Sequence, residues 1–396
     1  MRNVRFDPWN PDFVAHPYGV YADLRAVGPV SYFDKTDQYL IPRYEDVNAL
    51  LRDRRLGRSY LHLEDHVVFG HVPEPEFQEP FWRVVRAGML DVEPPIHTRL
   101  RRLVSKAFTP RMVESLRPRI KTMATELADA LAAKGGGDLI AEVAEPLPVT
   151  VIAEMLGVPE QDRPHLRPWS ADICGMYELN PSLEAQHTAA RAAEEFAAYL
   201  RDLSRVRAEN PGDDLISALT QVGLTEDELI GTCVLLLNAG HEATVNVTGN
   251  GWWSLFRNPA ELQRLREDRS LLPTAVEEMM RWDTPLQMFE RWVLEDIEVG
   301  GIAIPRGAEV ALLFGSANRD PSVFPEPDRF DAGRADNPHI SFGAGIHFCL
   351  GAPLARIELI ESFGALLDRG LDLVEEPTWK PGYVIRGLTE LRVSTA

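Results

Sequence analysis

The sequence predicts a mainly α-helical fold with a small β region. Three observations carry that prediction. Apolar residues recur at helical spacing through long stretches, as in "LEAQHTAARAAEEFAAYLRDLSRVRAEN" and "LTEDELIGTCVLLLNAGHEATVNVTGNGWWSLFRNP". Alternating and β-branched runs concentrate late, in "PLQMFERWVLEDIEVGGIAIPRGAEVALLF", where Gly300, Gly301, Pro305 and Gly307 punctuate them. The composition, 45% hydrophobic and 26% charged over 396 residues, is ordinary for a globular chain.

The elements follow in order. "YEDVNALLRD" reads as a short helix. From Leu56 to Leu90 the chain is rich in His, Phe, Pro and Trp and weak in periodicity, which reads as a long binding loop or lid. "TPRMVESLRPRIKTMATELADALAAK" reads as one helix, with Thr109 as N-cap and Pro110 at its first position. The glycines Gly135 to Gly137 are too few for a linker, so residues 1–396 are expected to form a single domain. An Ala-rich amphipathic helix comes next. The helix after it is expected to open on a capping box, Thr225 with Glu228, and to continue to Pro259. Its middle, Cys233 to Ala239, is apolar nearly all round, which marks a buried central helix. "RGLTELRVST" supplies a last strand.

Charge and cysteine content narrow the partners. A formal net charge of −19 argues against nucleic acid. The N-terminal stretch lacks an apolar core long enough for a signal peptide or a membrane span, and no other segment reaches spanning length without charges. The three cysteines, Cys174, Cys233 and Cys349, form no C-x-x-C pair, so neither a disulfide framework nor a structural zinc site is expected, and a reducing cytoplasm fits. Against the acidic background, Arg99, Arg102 and Lys106 share one helix face. That face reads either as solvated or as a docking patch for an acidic partner.

"SFGAGIHFCLGAPLAR", Ser341 to Arg356, concentrates the chemistry. Gly343 and Gly345 permit close backbone approach or positive φ. Pro353 suits the first turn of a helix, and apolar residues from Leu354 to Leu367 recur at roughly helical spacing. Cys349 therefore ends a glycine loop at a helix N-terminus, where the helix dipole is expected to lower its pKa. A thiolate there is a metal ligand or a nucleophile. Cys174 and Cys233 read as small buried hydrophobes, and Trp252 with Trp253 as helix packing.

Taken together, the motifs resemble those of the cytochrome P450 family, essentially over the whole chain and in its bacterial form. "FGAGIHFCLG" resembles the haem-ligand loop, "AGHEATVN" the oxygen-activation segment of the central helix, and "EEMMR" the E-x-x-R pair. "FPEPDRFD" resembles the segment whose arginine completes that pair's network, and "DVEPPIHTRLRRLVSKAF" a propionate-binding helix.

The resemblance implies that a long central helix lies over a haem b held by Cys349 as axial thiolate. A thiolate ligand favours O–O cleavage. His97, Arg101, Arg291 and His347 are implied as cofactor contacts with the propionates, and Phe342 and Gly351 as cofactor contacts around the sulfur. Glu278, Arg281 and Arg329 are implied to form a buried structural network. Leu236, Ala239, Met288 and Phe289 are expected to line a mainly apolar substrate pocket. The resemblance further implies O2 as co-substrate and electrons ultimately from NAD(P)H. These would arrive through a ferredoxin or flavodoxin and its reductase, docking on Arg99, Arg102 and Lys106.

One position departs from the family pattern. An acid there is usually followed at once by a threonine that helps deliver protons, but here Glu242 is followed by Ala243, with Thr244 one place later. One residue turns a helical side chain by about 100°. Three readings compete. A substrate hydroxyl holds the proton-donating water; or Thr244 reaches in through a local helix distortion such as a π-bulge; or the reaction is a non-hydroxylating oxidation such as oxidative coupling. The expected activity is monooxygenation of a small apolar molecule, in the manner of secondary metabolism, with a carrier-bound substrate also open. A haem sensor or electron carrier is the non-enzyme rival, and the Glu242 segment and the substrate-loop region argue against it.

Overall fold

The structure, a computed structural model, describes residues 5–70 and 73–395. Its axis is the helix Glu226–Arg257. The expected capping box is present: the Thr225 hydroxyl accepts from the Glu228 amide at 3.2 Å, and the Glu228 carboxylate accepts from the Thr225 amide at 3.0 Å. Two N-terminal donors are thereby satisfied. Asn258 ends the helix and Pro259 begins the next, Pro259–Glu267. Leu229, Ile230, Cys233, Val234 and Leu237 share a core with Leu200 of the helix Leu183–Glu209 and with Leu354 and Ile357 of the helix Ala352–Leu367. Further along, Trp252 is fully buried and stacks on Phe363 with ring centroids 5.4 Å apart, a packing role.

Two expected elements differ. The stretch from Thr109 is not one helix but two, Pro110–Ser115 and Arg117–Ala133. Thr109 does cap the first, accepting from the Met112 amide. Pro118 sits in the first turn of the second, where its missing N–H and its clash with the preceding residue favour a break. The 56–90 segment is also more ordered than its periodicity suggests. It includes the helix Glu79–Ala87, and His71 and Val72 within it lie outside the described residues. Gly231 brings that helix against the central one: a Cβ there would stand 2.7 Å from the Val84 carbonyl oxygen.

The β region is small, as expected, but draws on both ends of the chain. One sheet runs in the order Ser31–Phe33, Gln38–Ile41, Glu309–Leu312, Phe289–Val293, Leu56–Gly57. Among the described residues only Gln38–Ile41 and Glu309–Leu312 pair in parallel. The N-terminal strands are two to four residues long, too short for a period-two signal to register. Arg392–Thr395 forms the expected last strand, pairing with Leu371–Leu373 and with Gly136–Asp138 from the glycine loop.

Candidate active site

The glycine loop closes on itself just before Cys349. Gly343 and Gly345 have φ of 67° and 68°, a left-handed conformation that L side chains rarely adopt. The Cys349 amide donates to the Phe342 carbonyl at 2.9 Å. The helix Ala352–Leu367 starts three residues on, with Pro353 in its first turn. The Cys349 sulfur accepts from the Gly351 and Ala352 amides. The expected fall in its pKa is corrected: burial is the largest influence and holds the thiol above its ordinary value, outweighing those amides, Arg101 and Arg356.

Beside the loop lies a cluster of positive and polar groups, of which Arg58 pairs with Asp91 at 3.0 Å. His97, on the helix Ile96–Ala107, is buried with neither ring nitrogen hydrogen-bonded, and the His347 Nε2 is likewise buried without a partner. The two rings stand 4.5 Å apart. Arg291 is buried on its strand, its guanidinium 4.3 Å from the Phe289 ring centroid, and Arg58 lies 4.7 Å from the same ring. Arg101 donates to the Phe348 carbonyl at 2.6 Å. Burial, then the charge of Arg291, pushes the His347 pKa down to about 2; burial, then Arg58, pushes Arg291 down to about 9. Such a cradle is stabilised by a dianion.

This donor set fits a haem: a sulfur fed by two amides, and unpartnered imidazole nitrogens of His97 and His347 beside the guanidiniums of Arg58, Arg101 and Arg291, where two propionates would be held. Arg58 belongs to this cradle and was not singled out in the sequence, where "RLGRS" carries no periodic or motif signal.

The E-x-x-R network is present with one substitution of membership. Glu278 and Arg281 are fully buried and bonded twice at 2.7 Å. The second arginine on Glu278 is Arg334, at 3.0 and 3.2 Å, not Arg329. Arg329 is more than half exposed and pairs with Glu326; it contributes only its backbone carbonyl, which accepts from Arg281 and Arg334. The expected role of the Arg329 side chain is thereby corrected, because the chain turns after Phe330 and brings Arg334 back under the helix. Neighbouring Glu277 accepts from Arg356 at 2.6 and 2.9 Å, and Arg356 lies 4.5 Å from the Phe342 ring centroid, tying the cysteine helix to its loop.

Across the central helix, Glu242 and Thr244 face different neighbours. Lys380 donates to Glu242 at 3.4 Å and to Asn246 at 3.3 Å. Thr244 is buried, donates to the Gly240 carbonyl at 3.2 Å, and sets its hydroxyl against the carboxyl of Glu358 on the cysteine helix. The helix is α throughout, so this contact forms without a π-bulge. Burial pushes the Glu358 pKa up to about 8, opposed by the Thr244 hydrogen bond. Glu358 was missed in the sequence, although an acid inside "ARIELIESF", on the apolar side of a helix, was a signal available there. Ala243 is half-buried, beside that pair.

Of the expected pocket residues, Ala239 is exposed although its helix is otherwise largely buried, and Leu236 is half-buried one turn away. Phe289 lies beneath Arg58 and Arg291. Met288 is corrected: it is fully buried in a different core, with Phe6, Phe13, Leu40 and Leu313, because alternate strand residues face opposite sides of the sheet.

On the outer side, Arg102 and Lys106 are exposed, with no ion pair to either among the described residues. Arg99 instead pairs with Glu228 in the capping box, so its charge is already matched. Pro94, Pro95, Thr98, Arg99 and Arg102 line a shallow cleft of about 510 Å³.

This geometry, a cysteine sulfur at a helix start facing a cation cradle, defines a haem-thiolate site, and the comparisons agree. A cytochrome P450 family model matches residues 185–369. The cytochrome P450 monooxygenase PikC of Streptomyces venezuelae is 39% identical, covering 96% of this chain and 92% of its own. The 6-deoxyerythronolide B hydroxylase of Saccharopolyspora erythraea is 38% identical over 95% of each chain. Among solved structures, P450BioI in complex with hexadec-9Z-enoic acid ligated acyl carrier protein superposes with a TM-score of 0.91 at 38% identity, covering 98% of this chain and 99% of its own. The chain belongs to the cytochrome P450 family. It is a monooxygenase-type oxidoreductase that uses haem b, O2 and electrons from NAD(P)H. Among the described residues no helix is long and apolar enough to cross a membrane.

Proposed function

We propose that this protein, a single cytochrome P450 domain working in the cytoplasm, inserts one atom of O2 into a C–H bond of a small, mainly apolar secondary metabolite. Two electrons and two protons reduce the other atom to water. The observation that carries the reading is the Cys349 sulfur, fed by two amides and set beside orphaned His97 and His347. The haem, when bound, supplies oxygen activation, with a sulfur ligand that favours O–O cleavage. His97, Arg101, Arg291 and His347, joined by Arg58, hold the propionates; Phe342 shields the sulfur and Gly351 donates to it.

The residues of this chain supply the protons and the dry pocket. Glu358, protonated at neutral pH, stores a proton next to the Thr244 hydroxyl. Ala243 leaves room beside them for a substrate hydroxyl to hold a water, and Glu242, through Lys380, connects the helix to the surface. Electrons enter from an acidic ferredoxin-type protein on the Arg102 and Lys106 face, where Ile96, Ile346 and Phe348 add exposed apolar surface.

The test combines the CO-difference spectrum of the reduced protein, turnover with NADH, ferredoxin and reductase, and isotope-labelled O2. A thiolate-type CO band with one labelled oxygen in the product is expected. A product without label points instead to oxidative coupling, and a protein that binds haem but consumes no NADH with any substrate is a sensor or carrier.

A further inference from the structure

The central helix carries a buried amide whose hydrogen-bonding capacity is left incomplete. Asn238 is 3% exposed, and both its side-chain nitrogen and its oxygen are buried without a hydrogen bond. Leaving a buried amide unpaired is destabilising, because the water it gave up is not replaced. Its place in the sequence, "LLLNAG", is otherwise apolar, so a hydrophobic side chain would avoid that cost.

The amide faces the hydroxyl of Tyr177, on the loop between the helices Leu166–Cys174 and Leu183–Glu209. Tyr177 is held in place by its neighbour. The Glu178 carboxylate accepts from the three consecutive amides of Tyr383, Val384 and Ile385, at 2.8, 2.9 and 2.9 Å. One turn before Asn238, Val234 and Leu235 line a narrow cleft together with Val84, Leu90, Asp91 and Tyr177. Its volume is about 10 Å³, room for one water-sized group. Asp91 is already engaged by Arg58 at 3.0 Å, so no free charge faces the cleft from that side. Burial keeps the Tyr177 phenol neutral.

We propose that Asn238 and Tyr177 form a subsite that binds a neutral hydroxyl of the substrate and so decides which carbon is presented for oxidation. A hydroxyl both donates and accepts, matching the donor and the acceptor that the Asn238 amide presents beside Tyr177. A carboxylate only accepts and would leave the amide oxygen unpaired. The inference rests on the monooxygenase reading of the same site. It makes the preferred substrate a hydroxylated lipophile rather than a free acid, with Asn238 a positioning residue.

The test uses the haem-loaded full chain and three probes of one length: dodecan-1-ol, 1-chlorododecane and dodecanoate. Binding is read from the spin-state shift of the Soret band, and positional selectivity from the products. The wild type is expected to bind the alcohol about tenfold more tightly than the chloride, the usual worth of one buried hydrogen bond. Asn238→Leu and Tyr177→Phe should reduce that ratio toward one and scatter the site of oxidation, while haem content and chloride affinity stay at wild-type levels. Asn238→Ala gives the same reading should the leucine not fold. An unchanged ratio in the variants, a preference for dodecanoate, or no difference among the probes overturns the subsite and leaves Asn238 satisfied by water. Loss of the thiolate-type CO band in the wild type would instead overturn the underlying monooxygenase reading, so the two failures are separable.

Discussion

Thr244 on the central helix sets its hydroxyl against the buried carboxyl of Glu358 on the cysteine helix. The contact joins the two helices at the point where the expected threonine is an alanine. Glu358→Gln and Thr244→Val should therefore retain haem and the CO band yet divert electrons to peroxide. The ratio of product to NADH consumed is expected to fall on the order of tenfold or more, within the range for a positioned proton donor. Unchanged coupling in both variants would remove the pair from proton delivery.

The same carboxyl sets a pH dependence. The Glu358 pKa is raised to about 8, so the folded state binds a proton that the unfolded state releases near 4.5. Its contribution to stability is complete below the unfolded pKa and is lost as pH rises through about 8. Coupling should decline over the same upper window. Denaturant titrations of wild type and Glu358→Gln between pH 5 and 9, about the range in question, should show the variant losing less stability.

Position 243 tests the role of the substrate. A substrate analogue lacking its critical hydroxyl should still bind but waste electrons as peroxide, and Ala243→Thr should restore its turnover. Tight coupling of that analogue in the wild type would exclude substrate assistance.

Arg334 and Arg329 should behave very differently. Arg334 is one-tenth exposed on the buried Glu278, so Arg334→Ala removes one of the two arginines on that carboxylate and is expected to cost about 3–5 kcal/mol, with loss of haem. Arg329→Ala removes a solvent-exposed side chain and should stay within about 0.5 kcal/mol. Thermal unfolding of the two holoproteins decides it.

For electron entry, Arg102→Glu with Lys106→Glu should slow reduction by a ferredoxin without changing substrate affinity, and added salt should slow the wild type in the same way. Arg99→Glu should act differently, destabilising the start of the central helix because it faces Glu228. Stopped-flow reduction against ionic strength, beside the thermal midpoints, separates docking from folding.

The sequence by itself determined the fold class, the cysteine loop, the capped central helix and the pair Glu278 with Arg281. Each is written in residues close together in the chain, where glycine, proline and helical spacing act locally. Tertiary structure decided what depends on the path between distant segments. It chose Arg334 over Arg329 for Glu278, engaged Arg99 with Glu228, placed Met288 in the N-terminal core, and brought Glu358 to Thr244. It also set the Cys349 thiol above its ordinary pKa. The physical reason is common to all five. Spacing within a helix specifies which face a side chain takes, but burial and pairing are properties of the neighbours that long-range packing supplies.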